Sequence, residues 1–298
     1  MNIGFIGVGS MGRAMIIRLI EAGHRVSAWN RSAQALADVE GVTVLDEPWH
    51  AFQQEVVISM LADDQAMQQV VCSADGLAGA REGCIHVVMA TLSPALIERL
   101  QALHDQAGLA FVAAPVFGVP AVAARGHLNI LAAGPADVID QVQSLFDVLG
   151  QKTWRLGERP VEACITKIAG NMMITHAIES LGEANRLAEA YGVSASVFTD
   201  IVTRTLFACP IYQRYGHFIA QGIHEPGFTL SLGLKDVDLA LDAAHAKKLA
   251  LPAAQVVRAG MSDALSQGLG ERDWSVFARL GQPAAPLNPS QQGTSHDA

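Results

Sequence analysis

Short runs of β-forming residues alternate with amphipathic stretches from residue 1 to about residue 155. The periodicity of stretches such as Met11–Ala22 and Pro94–Gln106 predicts helices, and Pro94 suits a first helical turn. Strands that alternate with helices predict βαβ units and a mostly parallel sheet. The predicted strands are Asn2–Ile6, Arg25–Trp29, Val42–Leu45, Val56–Met60, Cys84–Val88, Ala110–Ala113, Leu128–Ala132 and a last one near Lys152–Arg155.

The pattern changes after Pro160. From Val161 to Leu280 it is helical almost throughout. We therefore predict an α/β domain over residues 1–160 and an all-helical domain over residues 161–281. Residues 282–298 are rich in Pro, Ser, Gln and Gly, and this composition is typical of a disordered tail. The breaks between the predicted helices fall at Gly192, Pro210, Gly222–Phe228 and Pro252.

Composition narrows the classes of partner. Half of the residues are apolar and 16% are charged, which is typical of a globular chain. The formal net charge of −9 argues against a nucleic acid or an anionic membrane surface as the main partner. The longest uncharged apolar stretch, Leu109–Ala124, contains two prolines and is too short to cross a membrane. A small anionic ligand remains compatible, because a local cluster of Arg or Lys outweighs the global charge.

Cysteine and histidine usage indicates a reduced, metal-free protein. The cysteines are scattered without a C-x-x-C pair, and the ten histidines lack metal-ligand spacing. The apolar run from Ile3 follows no basic segment and is interrupted by Arg13 and Arg18, so we expect no targeting segment. These features predict a cytoplasmic location. The cysteines are Cys72, Cys84, Cys164 and Cys209.

A G-x-G-x-x-G motif follows the first predicted strand and opens a helix. Its glycines are Gly7, Gly9 and Gly12, with Ser10 and Met11 between the last two. The glycines permit a tight turn and close approach of a pyrophosphate, and the helix N-terminus offers free N–H groups to the phosphates. In this context the motif predicts a dinucleotide site on a doubly wound, Rossmann-type sheet. The alternative is a glycine-rich turn without a ligand.

The end of the second predicted strand indicates the choice of cofactor. An NAD-preferring site carries an acidic residue there, which bonds the ribose 2′-hydroxyl. This chain has Asn30, Arg31 and Ser32 instead. A guanidinium with small amide and hydroxyl neighbours suits a 2′-phosphate, so we predict NADP(H). A solvated loop arginine is the alternative.

Lys167 is the only charged residue between Ala163 and Ile178. Asn171 follows four residues later, on the same face of the predicted helix. A lone lysine among apolar residues is either a core-edge residue whose stem reaches water or a functional ammonium. Hydride transfer to a carbonyl needs a general acid beside the oxygen, and a partly desolvated lysine has a suitable pKa. We therefore predict that Lys167 is catalytic and that Asn171 assists it.

The sequence resembles the β-hydroxyacid dehydrogenase family, which includes 3-hydroxyisobutyrate dehydrogenases and tartronate semialdehyde reductases and is related to 6-phosphogluconate dehydrogenase. The resemblance runs from Asn2 to about Trp274 and rests on several motifs in order. They are GFIGVGSMG at 4–12, WNRS at 29–32, MLADD at 60–64, ATLSP at 90–94, APVFGVPAVAARGHL at 114–128, KIAGN at 167–171 and GLKDVDLALDAA at 233–244.

The resemblance implies roles for the matching positions. Leu61 would lie along the nicotinamide side of the cofactor and Thr91 near the nicotinamide ribose. Lys167 would be the catalytic lysine. Lys235 would close over the cofactor from the helical domain, with Asp236 supporting it, although an exposed charged helix start is the alternative. The resemblance also implies that the helical domain shapes the substrate site and forms a homodimer or a higher homo-oligomer.

The predicted substrate loop departs from the family pattern. Many relatives carry Ser-Gly-Gly, whose hydroxyl and backbone amides hold the substrate carboxylate. This chain has Phe117, Gly118 and Val119. We expect these three residues to contact the substrate and a bulkier or more apolar substrate to fit, with Phe117 as a plain core residue as the alternative.

Three functions are compatible with these observations. The first is reversible hydride transfer between NADP(H) and a small β-hydroxy acid or aldehyde acid. The second is an imine reductase on the same fold, which Lys167 argues against because such relatives usually carry Asp or Tyr there. The third is a module that binds NADP without turnover, and such proteins tend to lose the lysine.

Overall fold

A computed structural model describes residues 1–73, 76–77 and 79–280. The predicted tail at 282–298 lies outside the described residues. The strands are β1 (Asn2–Ile6), β2 (Arg25–Trp29), β3 (Thr43–Val44), β4 (Val56–Ser59), β5 (Ile85–Val88), β6 (Ala110–Ala113), β7 (Val116–Phe117), β8 (Leu128–Ala133) and β9 (Gly150–Gly157). The helices are α1 (Ser10–Glu21), α2 (Asp64–Val70), α3 (Pro94–Ala107), α4 (Pro120–Ala123), α5 (Ala136–Leu149), α6 (Pro160–Ala190), α7 (Ala195–Arg204), α8 (Pro210–Gln221), α9 (Leu230–Ala246) and α10 (Pro252–Ser266).

One sheet contains all nine of these strands. Its order is β3-β2-β1-β4-β5-β6-β8-β7, and β9 pairs with β8. The strands from β3 to β6 are parallel, whereas β8 runs antiparallel to β6 and β7. Chain order reverses at β1, which lies between β2 and β4. In doubly wound sheets a ligand binds beyond the carboxyl ends of the strands at such a reversal.

Side chains of the central strands alternate between two apolar cores. Ile3 and Phe5 of β1 belong to one core, and Ile6 belongs to the other. Successive residues of a strand point to opposite faces, so a strand covered on both sides is apolar throughout. Helices α1 and α5 cover the first face and helices α3 and α6 cover the second. The predicted layers of a Rossmann domain are confirmed.

Helix α6 connects the two halves of the protein. It has 31 residues and begins at Pro160, which suits the first turn of a helix. Ala163 and Ile168 pack in the core on the sheet, while Ile178 and Leu181 pack in the core of the helical half. Residues at both ends of one continuous helix therefore belong to different cores, and the described residues after α6 form helices without strands.

Two strands, β7 and β9, differ from the sequence-based expectation. Strand β7 is not predicted, because a run of two residues is too short to show a period. Strand β9 extends over eight residues, beyond the predicted Lys152–Arg155, and runs beside β8. In the described part of the chain, no helix has the length and apolarity needed to cross a bilayer.

Candidate active site

Each glycine of the motif after β1 has a different steric environment. Gly7 has φ +100°, and a Cβ there would collide with the Met60 carbonyl. A Cβ at Gly12 would collide with the carbonyl of Gly7. A Cβ at Gly9 would meet nothing within 4 Å. Gly7 and Gly12 are therefore required by the turn and by packing, while Gly9 leaves open space where a pyrophosphate could approach the backbone.

Asn30 ties the glycine-rich loop to the end of β2. Its Oδ1 accepts a hydrogen bond from the Val8 amide at 2.9 Å, and its Nδ2 donates to the Ser32 carbonyl at 3.0 Å. The Gly7 amide donates to the Trp29 carbonyl at 3.0 Å. The neighbouring Arg31 is exposed, and none of the ion pairs formed by the described residues includes it.

A cleft of about 910 Å³ runs from the glycine-rich loop to helix α6. Most of the predicted site residues line it together, and two of them, Phe117 and Asn171, do not. The predicted cofactor-binding residues that line the cleft are Gly7, Gly9, Ser10, Met11, Gly12, Asn30, Arg31, Ser32, Leu61, Thr91 and Lys235. The predicted substrate-binding residues that line the cleft are Gly118, Val119 and Lys167.

Lys167 is buried, with 8% of its surface exposed, yet it reaches the cleft. Burial lowers the pKa of its ammonium to about 8, because a charged group is poorly solvated there. Asp236 acts in the opposite direction and raises this pKa, while Lys235 lowers it further. Nζ donates a hydrogen bond to Oδ1 of Asn171 at 2.9 Å. A buried lysine that reaches a cleft and has a pKa near neutrality is typical of acid–base catalysis.

Asn171 connects Lys167 to helix α9. Its Nδ2 donates to Oδ2 of Asp236 at 2.5 Å. A carboxylate only accepts hydrogen bonds, so the amide nitrogen must face Asp236 and the amide oxygen must face the lysine. Asn171 is 3% exposed and lies behind the lysine, away from the cleft lining.

Lys235 extends this network to the sheet. Its Nζ lies 3.0 Å from Oδ1 of Asp236 and donates to the Thr91 carbonyl at 2.8 Å. The pairing with Asp236 is an ion pair without the geometry of a directed hydrogen bond. Through Thr91, which follows β5, the lysine joins α9 to the Rossmann domain across the cleft.

The loop after β7 has two sterically constrained positions. Gly118 has φ +148°, and a Cβ there would lie 2.5 Å from Leu128. The ring of Phe117 packs against Gly170 of α6, where a Cβ would collide with it. Lys167 Nζ lies 4.7 Å from the centroid of this ring. Phe117 thus faces the helix and the lysine.

Several cleft residues are missed by sequence reasoning. Trp49 and Pro48 line one end of the cleft, and Pro226, Phe228 and Thr229 line it from the segment that precedes α9. Pro48 and Trp49 begin a short 3₁₀ helix, and the other three residues lie in the segment that leads into α9. Segments this short show no period, and none of these residues matches a motif. Their membership of the site depends on how distant segments pack.

The fold and the cleft define the class of protein, a Rossmann-type dinucleotide-dependent oxidoreductase with a helical second half. The family model for the NAD binding domain of 6-phosphogluconate dehydrogenase matches residues 2–169. The model for the NAD-binding domain of NADP-dependent 3-hydroxyisobutyrate dehydrogenase matches residues 162–280. The chain therefore belongs to the β-hydroxyacid dehydrogenase family of NAD(P)-dependent enzymes that act on CH–OH groups. The family, the fold class and the enzyme class predicted from the sequence are confirmed.

Known proteins match nearly the whole chain. It is 37% identical to the uncharacterized oxidoreductase YfjR of Bacillus subtilis, over 94% of this chain and 99% of that protein. It is 29% identical to glyoxylate/succinic semialdehyde reductase 1 of Arabidopsis thaliana, over 93% and 96% of the two chains. The solved structure of 3-hydroxyisobutyrate dehydrogenase from Mycobacterium tuberculosis with L-serine is similar with a TM-score of 0.84 at 25% identity, covering 93% and 97% of the chains.

Proposed function

We propose that this enzyme transfers a hydride between NADP(H) and a small β-hydroxy acid or aldehyde acid, with Lys167 as the general acid and base. The observation that carries the proposal is the buried ammonium of Lys167, which reaches the same cleft as the glycine-rich loop. Its pKa of about 8 leaves both protonation states accessible near neutral pH. The names of two relatives, a glyoxylate/succinic semialdehyde reductase and a 3-hydroxyisobutyrate dehydrogenase, support this substrate class.

The residues around the glycine-rich loop fit a dinucleotide. The open space beside Gly9 and the N-terminus of the 12-residue helix α1 would hold the pyrophosphate. Arg31, with Ser32, would hold a 2′-phosphate at the edge of the cleft, which favours NADP(H) over NAD(H). Leu61 and Thr91 would lie beside the nicotinamide end. When bound, the cofactor supplies or accepts the hydride.

Lys167 performs the proton transfer that accompanies the hydride. In the direction of reduction, the ammonium donates a proton to the carbonyl oxygen, where negative charge develops. In the direction of oxidation, the neutral amine accepts the proton of the hydroxyl group. Asn171 keeps Nζ oriented through its hydrogen bond, and Gly118 and Val119 form the neighbouring wall of the substrate site.

A substrate screen with a lysine variant tests this function. The purified protein is assayed with NADPH against succinic, tartronate and methylmalonate semialdehydes, glyoxylate and a panel of cyclic imines. We expect turnover with an aldehyde acid that Lys167→Ala abolishes, while NADPH binding measured by fluorescence is retained. Lys152→Ala, at an exposed lysine on β9, is the matched control and should retain full activity.

Three outcomes would contradict the proposal. Turnover of imines alone would assign the imine reductase function, and full activity of Lys167→Ala would remove the lysine from the mechanism. Tight NADPH binding without turnover of any of these compounds would favour the third candidate, a non-catalytic NADP-binding module.

A further inference from the structure

The backbone on both sides of Phe117 sets its position beside Lys167. Strand β7 pairs Val116 with Ile130 and Phe117 with Asn129 of β8, which fixes the register. Gly118, the next residue, has a φ that favours glycine and lies against Leu128. The backbone of Phe117 is therefore fixed beside helix α6, and its ring lies against that helix.

Gly170 allows the ring to approach the helix closely. A Cβ at this position would overlap the ring atoms of Phe117. Gly170 is one residue before Asn171 and three after Lys167, so the ring sits on the helix surface beside the catalytic pair. At 4.7 Å from the ring centroid, the Lys167 nitrogen is within the range of a cation–π contact.

The contacts of Lys167 leave a place for this ring. An ammonium has three N–H bonds, and Asn171 accepts one of them. Among the ion pairs that the described residues form, none includes Lys167. A second N–H bond directed at the ring face of Phe117 would leave the third for a substrate oxygen in the cleft.

We propose that Phe117 is a positioning residue whose ring face stabilises the ammonium form of Lys167 by a cation–π contact. The inference rests on the proposed role of Lys167 as general acid and base. It assigns Phe117 a role behind the lysine, where we had expected a substrate contact. The electron-rich face of an aromatic ring attracts a cation, and this attraction is stronger when the cation is desolvated.

Charged groups around Lys167 define what the test must hold constant. Helix α9 supplies Asp236, which raises the pKa of the lysine, and Lys235, which lowers it. On α6 itself, Cys164 lies one turn earlier, and burial raises the pKa of its thiol to about 12, so it remains uncharged at neutral pH. Strand β7, which consists of Val116 and Phe117, contains no titratable residue. A change confined to the ring electrons leaves all of these charges in place.

Fluorinated phenylalanines at position 117 make that change. Mono-, di- and trifluorophenylalanine have nearly the shape of phenylalanine, but each fluorine weakens the negative potential of the ring face. The pKa of Lys167 is read by NMR from [6-¹³C]lysine in the protein without ligands, with the signal assigned from Lys167→Ala. We expect it to fall stepwise along the series by about one pH unit in total. The high-pH limb of kcat/KM for reduction should move with it.

A matched control and two readouts keep the outcomes separate. The same series at Phe146, a buried ring in the core on the other face of the sheet, should leave the Lys167 signal unchanged. A Lys167 pKa that stays constant along the Phe117 series would overturn the inference and leave a packing role. The NMR titration does not require turnover, so it tests the cation–π contact even if Lys167→Ala remains active. Full activity of Lys167→Ala would overturn the proposed function but not this contact.

Discussion

Asp236 is the buried charge on which the proton affinity of Lys167 depends. Only 1% of its surface is exposed, and it contacts Asn171 and Lys235. Burial lowers the pKa of Lys167, whereas the carboxylate raises it. The two effects oppose each other, so the working pH of the enzyme should depend on a residue that is two contacts away from the reacting proton.

Asp236→Asn should shift the pH dependence of the reaction toward lower pH. For reduction, kcat/KM falls as pH rises through the pKa of Lys167, about 8, because the ammonium loses the proton it must donate. Without the carboxylate this fall occurs at lower pH. For oxidation, the rise of kcat/KM with pH moves in the same direction. Profiles between about pH 6 and 10 measure both limbs.

Asp238→Asn is the matched control for this variant. Asp238 is on the same helix but is only half-buried and pairs with Arg258 at 2.5 Å. Its profile should coincide with that of the unaltered enzyme. If kcat/KM of Asp236→Asn changed at the same pH as that of the unaltered enzyme, the carboxylate would not act on Lys167.

Arg31 should determine the preference for NADPH. Arg31→Ala removes one charge-assisted contact with a 2′-phosphate, worth roughly 1.5–3 kcal/mol, so the KM for NADPH should rise at least tenfold. The KM for NADH should change little, because NADH lacks that phosphate. Arg25→Ala, at the start of strand β2, is the control, because Arg31 lies beyond the other end of that strand. Equal use of NADH and NADPH by the unaltered enzyme would contradict the cofactor prediction.

At the scale of the elements, the sequence predicts what is local and misses what is distant. The strands of the parallel sheet are predicted within one or two residues, because buried strands are continuous apolar runs bounded by turns. The glycine-rich loop and Lys167 are recognisable for the same reason, since their signal lies within a few residues. The contact of Asn171 with Asp236 spans 65 positions, and no local pattern could place Phe228 or Trp49 in the cleft.

A buried pair of histidines joins β5 to α3, on the face of the sheet that helices α3 and α6 cover. His86 Nδ1 lies 2.9 Å from His104 Nε2, and His86 Nε2 lies 2.9 Å from the Ser59 hydroxyl. His104 Nδ1 lies 2.7 Å from the Leu100 carbonyl, so it must carry a proton. His104 Nε2 then accepts from His86, and His86 accepts from Ser59. With both rings neutral, each of these bonds has one donor and one acceptor, and burial disfavours the charged form of either ring.

The histidine pair should make the fold less stable in acid. Burial lowers the pKa of His104 below 6.5, and burial together with His104 lowers the pKa of His86 well below it. Below about pH 6.5 the unfolded chain therefore binds protons that the folded chain does not. The stabilisation is complete above this pH and is lost as pH falls toward the folded pKa values. Urea denaturation of the ligand-free protein at several pH values measures the slope.

Variants separate this pair from the other histidines. The double variant His86→Gln with His104→Gln should lose stability at every pH but show a flatter dependence between about pH 5 and 6.5. His50→Gln, at an exposed histidine, should keep the original slope. An unchanged slope in the double variant would assign the acid sensitivity to other groups.

At the scale of the whole molecule, helix α7 has large apolar side chains on its exposed side. Its buried positions include Thr199 and Thr203, while Val197 and Ile201 are exposed. In a helix on the surface of a monomer the apolar side faces the core. The exposed apolar side chains continue into the following turn with Leu206, which is 80% exposed. Large exposed apolar patches mark protein–protein interfaces, so we expect these side chains to contact a partner chain.

We therefore expect the homodimer or higher homo-oligomer that the family resemblance implies to assemble through α7. A stable interface buries about 800 Å² on each partner, and a lysine in its apolar part must be desolvated without a counter-ion. Ile201→Lys should thus convert a species of twice the chain mass into a monomer, measured by size-exclusion chromatography with light scattering. Val44→Lys, at a similarly exposed valine on β3, should leave the mass unchanged. A dimer that survives Ile201→Lys, or an unaltered protein that is monomeric, would contradict this assignment of the surface.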